Sequence, residues 1–100
     1  MVPIQISVRH QLGQQAAKLR VQQFLDSLQR EYANQISDVQ GDWDNDRLQF
    51  GFHISGLSIA CTLDVEENQV QVRSSLPLAA VLFRGKIEGW IREELEHRLA

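Results

Sequence analysis

From residue 47 to residue 65, apolar side chains fall at alternate positions. Leu48, Phe50, Phe52 and Ile54 are followed, across Ser55-Gly56, by Leu57, Ile59, Cys61, Leu63 and Val65. This alternation predicts a β-hairpin with one oily face. A two-residue turn at Ser55-Gly56 sets Ile54 opposite Leu57, Phe52 opposite Ile59, Phe50 opposite Cys61 and Leu48 opposite Leu63, so every cross-strand pair on that face is apolar. The intervening Gln49, Gly51, His53, Ser58, Ala60, Thr62 and Asp64 are small or polar, which leaves the other face to water or a partner.

The same logic extends outward. A turn at Asn45-Asp46 sets Trp43 opposite Leu48, Gly41 opposite Phe50 and Val39 opposite Phe52, giving a strand over 37–44 in which Gly41 leaves room for a Phe ring. A turn at Glu67-Asn68 pairs Val65 with Val70 and Leu63 with Val72 in a strand reaching Ser75. Ile4, Ile6 and Val8 alternate as a further short strand. Residues 14–34 contain no Pro or Gly and carry Ala17, Val21, Phe24, Leu25, Leu28 and Tyr32 on one helical stripe. A second helix is expected from Pro77, tolerated early in a helix, to the C-terminus. Its core stripe is Phe83, Ile87, Trp90, Ile91 and Leu95, with Glu88–Arg92 and Glu94–Arg98 as i,i+4 pairs. The order β-α-β-β-β-β-α predicts a single α+β domain over 1–100, a two-layer sandwich with a five-stranded antiparallel sheet and two helices on one face.

Composition narrows the functional classes. One hundred residues suffice for one modest core, and 43% hydrophobic with 23% charged residues is ordinary for a globular domain. A net charge of −3 without any Lys/Arg stripe argues against nucleic acid as a partner. The single cysteine lies in the apolar set of the hairpin and reads as a core residue. With no signal peptide pattern and no apolar run near 18 residues, a cytoplasmic protein without a transmembrane segment is expected.

Strong chemical motifs are missing: no Gly-rich phosphate loop, Cys-x-x-Cys, His-Glu-x-x-His or Gly-x-Ser-x-Gly occurs. The inferred registers do place Asp38 opposite His53 and His53 opposite Ser58, a row with the residue types of a nucleophile, base and orienting acid. A flat wet face offers no oxyanion site and does not exclude water, so ordinary cross-strand polar pairing is the preferred reading. His10 and His97 are scattered, and neither metal nor cofactor is expected. Trp43 and Trp90 fall on core stripes and read as packing residues.

More apolar side chains are present than one helix face can absorb. Residues 78–83, Leu-Ala-Ala-Val-Leu-Phe, are apolar all round; Leu78, Leu82, Gly85 and Gly89 lie away from the core stripe, and Leu12, Ala16 and Leu19 lie opposite the main stripe of the first helix. Gly85 and Gly89, four apart, permit close helix approach. Either these patches bury each other, or Leu12, Leu19, Leu78, Leu82, Gly85 and Gly89 form an interaction surface.

The opening Ile4-x-Ile6, His10-x-Leu12-Gly13 and Ala17-x-x-Arg20-Val21, the middle Trp43 and Leu48-x-Phe50, and the tail Leu76-Pro77 through Leu82-Phe83-x-Gly85-x-Ile87, Ile91 and Leu95 resemble a known family. It is that of the small bacterial polyhydroxyalkanoic acid system, or granule-region, proteins. The resemblance implies a place among genes for making and handling intracellular polyester granules, with no enzymatic activity and no catalytic residue to carry over. His10 and Arg20 match it as polar positions without a role. The expected function is a non-enzymatic accessory protein that binds polyester granules or granule proteins through the apolar helix surface. The alternatives are a homodimerisation or protein-interaction module, and a small hydroxyacyl-ligand binder or hydrolase. The last is disfavoured by size, because closing the core leaves little for a pocket of ~300 Å³ or more.

Overall fold

A computed structural model describes residues 2–100. Strand β1 (Val2–Arg9) leads into helix α1 (Gln14–Glu31), then β2 (Ile36–Asp44), β3 (Arg47–Ile54), β4 (Leu57–Val65) and β5 (Gln69–Leu76), and the chain ends in helix α2 (Arg84–Leu99). The sheet is antiparallel with strand order β1-β5-β4-β3-β2, so α1 carries the chain across it from one edge to the other. Ile4, Phe50, Ile59, Leu63 and Val72 of the sheet share one face with Phe24 and Leu28 of α1 and Trp90 and Ile91 of α2. Gln5, Arg73, Gln49, His53 and Ser58 point the other way and are exposed.

The hairpin registers follow from their apolar pairs. Ile54–Leu57, Phe52–Ile59, Phe50–Cys61 and Leu48–Leu63 pair as expected, as do Val65–Val70 and Leu63–Val72. Ser55 and Gly56 take φ of 51° and 79°, the left-handed pair that matches a two-residue hairpin to strand twist.

Strand β2 departs from the expectation. Trp43–Leu48 and Gly41–Phe50 pair as expected, but the register slips by one residue between Ser37 and Gln40, so Ser37 rather than Asp38 lies opposite His53 and the expected Val39–Phe52 pair is not made. Asp38 occupies the bulge with φ 54°, a conformation Asp tolerates better than most residues. The extra residue lets Val39 and Ile36 both face inward, where Ile36 is buried. Gly41 does accommodate a neighbour, but it is Leu25 of α1: a Cβ there would meet Leu25 Cδ2 at 2.6 Å, with Phe50 Cβ at 3.8 Å.

Helix α1 stops at Glu31, short of residue 34, and Tyr32 and Gln35 turn the chain into β2. The second helix is split. Leu78–Phe83 forms a 3-10 segment, and only from Arg84 does the chain become α-helical. Neither junction has a side-chain cap, and Gly85 and Gly89 weaken the helix just beyond it. The ion pair in α2 is Arg84–Glu88 at 2.9 Å; Arg92 donates instead to the Ser7 carbonyl and Arg98 to Ser27 Oγ, so the expected Glu88–Arg92 and Glu94–Arg98 pairs are not formed.

His10 and Arg20 have structural roles. His10 is buried; its Nδ1 accepts the Leu12 amide proton at 3.2 Å, so Nε2–H donates to the Glu66 carbonyl at 3.1 Å. The ring thereby ties the β1–α1 connection to the β4–β5 turn, and Gly13 next to it takes φ 80°. Arg20 donates to the Arg98 carbonyl at 3.0 Å, satisfying an orphan acceptor at the end of α2.

Candidate functional site

Two features stand apart from the closed core, and both lie where α2 begins. The first is an apolar cleft of about 430 Å³ between the layers, which overturns the expectation that the core would leave no such pocket. Its floor is the oily sheet face toward the Ser55-Gly56 turn, with Phe50, Phe52, Leu57 and Ile59; its walls are Leu28 of α1, Tyr32 just beyond it, and Ile87, Trp90 and Ile91 of α2. Large side chains there brace one another without filling the space. Phe50 and Phe52 stack at 6.2 Å, and Trp90 packs against Phe24 at 6.1 Å and edge-on against Tyr32 at 5.8 Å. Trp90, expected to be core, is partly buried and packs against the core as a wall of the cleft. Trp43 remains half-exposed, under Lys18 and donating to Gln22 Oε1 at 2.6 Å.

Polar atoms in the cleft are few and uncharged. Ser55, Gln35 and Tyr32 supply them toward solvent, and Cys61 with its cross-strand neighbour Ser74 supplies them on the floor. The Ser74 hydroxyl already donates to the Ala60 carbonyl at 2.7 Å. Burial pushes the Cys61 thiol up from its ordinary range, outweighing the opposing effect of the neighbouring Ser74 side chain, so it stays protonated at neutral pH and is a poor nucleophile.

The second feature is the 3-10 segment. Leu82 is 89% exposed and Leu78 70%, with Phe83 at 57% and Val81 at 39%. Phe83, expected on the core stripe, instead stands at the cleft rim. Three residues per turn place Leu78 and Val81 on one side, unlike the i,i+4 helical spacing that groups Leu78 and Leu82 with Gly85 and Gly89. A Cβ on either glycine would meet nothing within 4 Å, so neither glycine supports a close helix contact within the chain. Leu19 is exposed on α1, whereas Leu12 packs against the core and drops out of any surface patch.

The Asp38-His53-Ser58 row is partly assembled. His53 Nδ1–H donates to Asp38 Oδ2 at 2.9 Å because the bulge swings Asp38 toward it, and Ser58 is the β4 partner of His53. No hydrogen bond joins Ser58 to His53, and the His53 and Asp38 side chains are 49% and 67% exposed, open to water as a hydrolytic base should not be. Among the described residues, no cluster of His, Cys, Asp or Glu has metal-binding geometry, and no helix is long and apolar enough to cross a membrane.

Fold and site together define a small α+β sandwich whose two layers part at one end around an uncharged cleft. A family model described as putative polyhydroxyalkanoic acid system protein matches residues 4–99, and the chain belongs to that family. No curated protein and no solved structure matches it.

Proposed function

We propose that this protein is a non-enzymatic accessory factor of polyhydroxyalkanoate metabolism that sits peripherally on the polyester granule and contacts it through Leu78, Val81, Leu82 and Phe83. The observation that carries the reading is the clustering of these side chains, exposed together on one short segment. Lone surface leucines need no explanation; four exposed large apolar side chains within six residues do. Membership of the polyhydroxyalkanoic acid system family supports the reading, because a polyester granule would offer such side chains a hydrophobic surface.

Magnitude sets the kind of contact. Burying a fully exposed large apolar side chain is worth about 1.5 to 3 kcal/mol, and with Val81 and Phe83 already partly covered the segment yields about 4 to 8 kcal/mol gross. Association itself costs about 4 to 15 kcal/mol. The balance is a reversible adhesion rather than a permanent anchor.

The test is sedimentation with isolated amorphous polyhydroxyalkanoate granules. The wild-type protein is expected to pellet with them, and the double variant Leu78→Gln, Leu82→Gln to remain in the supernatant with unchanged far-UV circular dichroism. If the double variant pellets equally, or the wild type stays soluble, the granule contact is lost as an explanation. A dimer-to-monomer change in that variant without any granule binding would assign the ridge to a second copy instead.

A further inference from the structure

We infer that the cleft between sheet and helices is a binding site for one uncharged aliphatic chain, such as a medium-length acyl ester. The inference is distinct from the granule contact, which uses the 3-10 segment and shares only Phe83 at the rim; the cleft lies between the layers and would hold a single chain.

Three observations select this occupant. The first is size. A volume of about 430 Å³ falls within the range of small-molecule sites, about 300 to 1,000 Å³. At about 30 Å³ per carbon-sized group, the share of one water in the liquid, it accommodates roughly a dozen such groups. One turn of an α-helix, a cylinder 10–12 Å across and 5.4 Å long, already occupies about 500 Å³. A partner helix longer than about one turn therefore does not fit, whereas an extended hydrocarbon thread does.

The second is charge. Among the described residues, no Lys, Arg, His, Asp or Glu side chain lines the cleft. A carboxylate or a phosphate-bearing carrier drawn between the layers would lose its hydration without gaining a counter-ion, which is costly. A neutral ester or hydroxyl group meets what is there: Gln35, Ser55 and Tyr32 toward solvent, and acceptor capacity on Ser74 at the floor.

The third is shape. Phe52, Ile59, Ile87 and Trp90 face the free volume from opposite layers, so a chain between them is covered from both sides. Each methylene moved from water contributes about 0.8 kcal/mol, so chain length should govern affinity.

Trp90 serves as the reporter in a Trp43→Phe background. Titration with methyl 3-hydroxydecanoate is expected to give a saturable change in Trp90 emission, at least tenfold weaker with the free carboxylate and with methyl 3-hydroxybutyrate. In the wild-type protein, methyl NMR resonances of Leu57, Ile59, Ile87 and Ile91 should shift with the ester while those of Val8 and Val70 stay in place. The variant Ile59→Phe, Ile87→Phe fills the space and should lose ester binding while still sedimenting with granules; Leu78→Gln, Leu82→Gln should do the reverse. The inference is overturned if the cleft methyls do not respond to the ester, if the carboxylate binds as tightly, or if the same resonances shift with protein concentration alone, which would place a second copy over the cleft.

Discussion

The two ends of the sandwich are written in the same alternating pattern yet finish differently. Near the Asp46 and Glu67 turns, Leu48, Val65, Val70 and Val21 are essentially sealed, and Gln14 at the start of α1 donates to Asp46 Oδ2 and to the Val65 carbonyl. His10 and Arg20 tie the connection and the end of α2 to the same region. Toward the Ser55-Gly56 turn, Phe52, Ile54, Leu57 and Ile59 face the same way but are only half-buried. The difference lies in the layer above. At the sealed end Leu95 and Leu99 of α2 are buried, while at the open end the chain leading into α2 forms the exposed 3-10 segment. Alternation decides which face a side chain points to; coverage depends on whether another element reaches it.

The largest expected effect separates the two ends by mutation. Leu48→Ala, in the sealed end, should cost about 2 to 5 kcal/mol, a large part of the stability of a domain this size. Ile59→Ala, beside free volume, removes only partly buried surface and should cost about 1 kcal/mol. Urea unfolding of both variants measures the contrast, and equal losses would mean that the open end is closed in solution.

The contrast also explains what could be read from the chain. Hairpin registers were legible because a one-residue slip would turn every apolar side chain of Leu48–Val65 outward. The bulge in β2 left a trace: Val39, Gly41 and Trp43 sit at odd positions but Ile36 at an even one, and both sets can face the core only if a residue is inserted between them. The pairing of Asp38 with His53 followed from that bulge rather than from direct opposition. Residues 78–83 were not legible, since an unbroken apolar run has no period to distinguish a packed α-helix from an exposed 3-10 turn. The cleft escaped for a related reason, because side-chain direction says nothing about the height of the layer above.

A smaller effect probes the open end of α2. Because a Cβ at Gly85 or Gly89 would have no neighbour within 4 Å, Gly85→Ala and Gly89→Ala should each stabilise the helix by about 0.5 to 1 kcal/mol. In a domain of this size that is a rise of about 2 to 8 °C in the thermal midpoint. A variant that gains stability but no longer sediments with granules would show that the glycines meet a partner rather than water, extending the contact surface from the 3-10 ridge onto α2.

The smallest effect lies on the uncovered face, where the two ends differ again. At the sealed end Asp64 accepts from Arg47 at 2.6 Å and from Arg73 at 2.7 Å; at the open end Asp38 and His53 form a more exposed pair. Partial burial raises the Asp64 carboxyl, but the hydrogen bonds and charges of the two arginines outweigh it and hold it below its ordinary value. A carboxylate with a depressed folded-state pKa binds fewer protons folded than unfolded, so its contribution is present above the unfolded value near pH 4 and disappears as pH falls through the lower folded one. Asp64→Asn should therefore lower the urea midpoint slightly at pH 7 and converge with the wild type as the pH falls below the folded-state value. Because the arginines are about half exposed, salt should shrink the difference. A deficit that persists undiminished in acid would mean that Asp64 acts through packing, leaving the two ends of this face alike in their charge pairs.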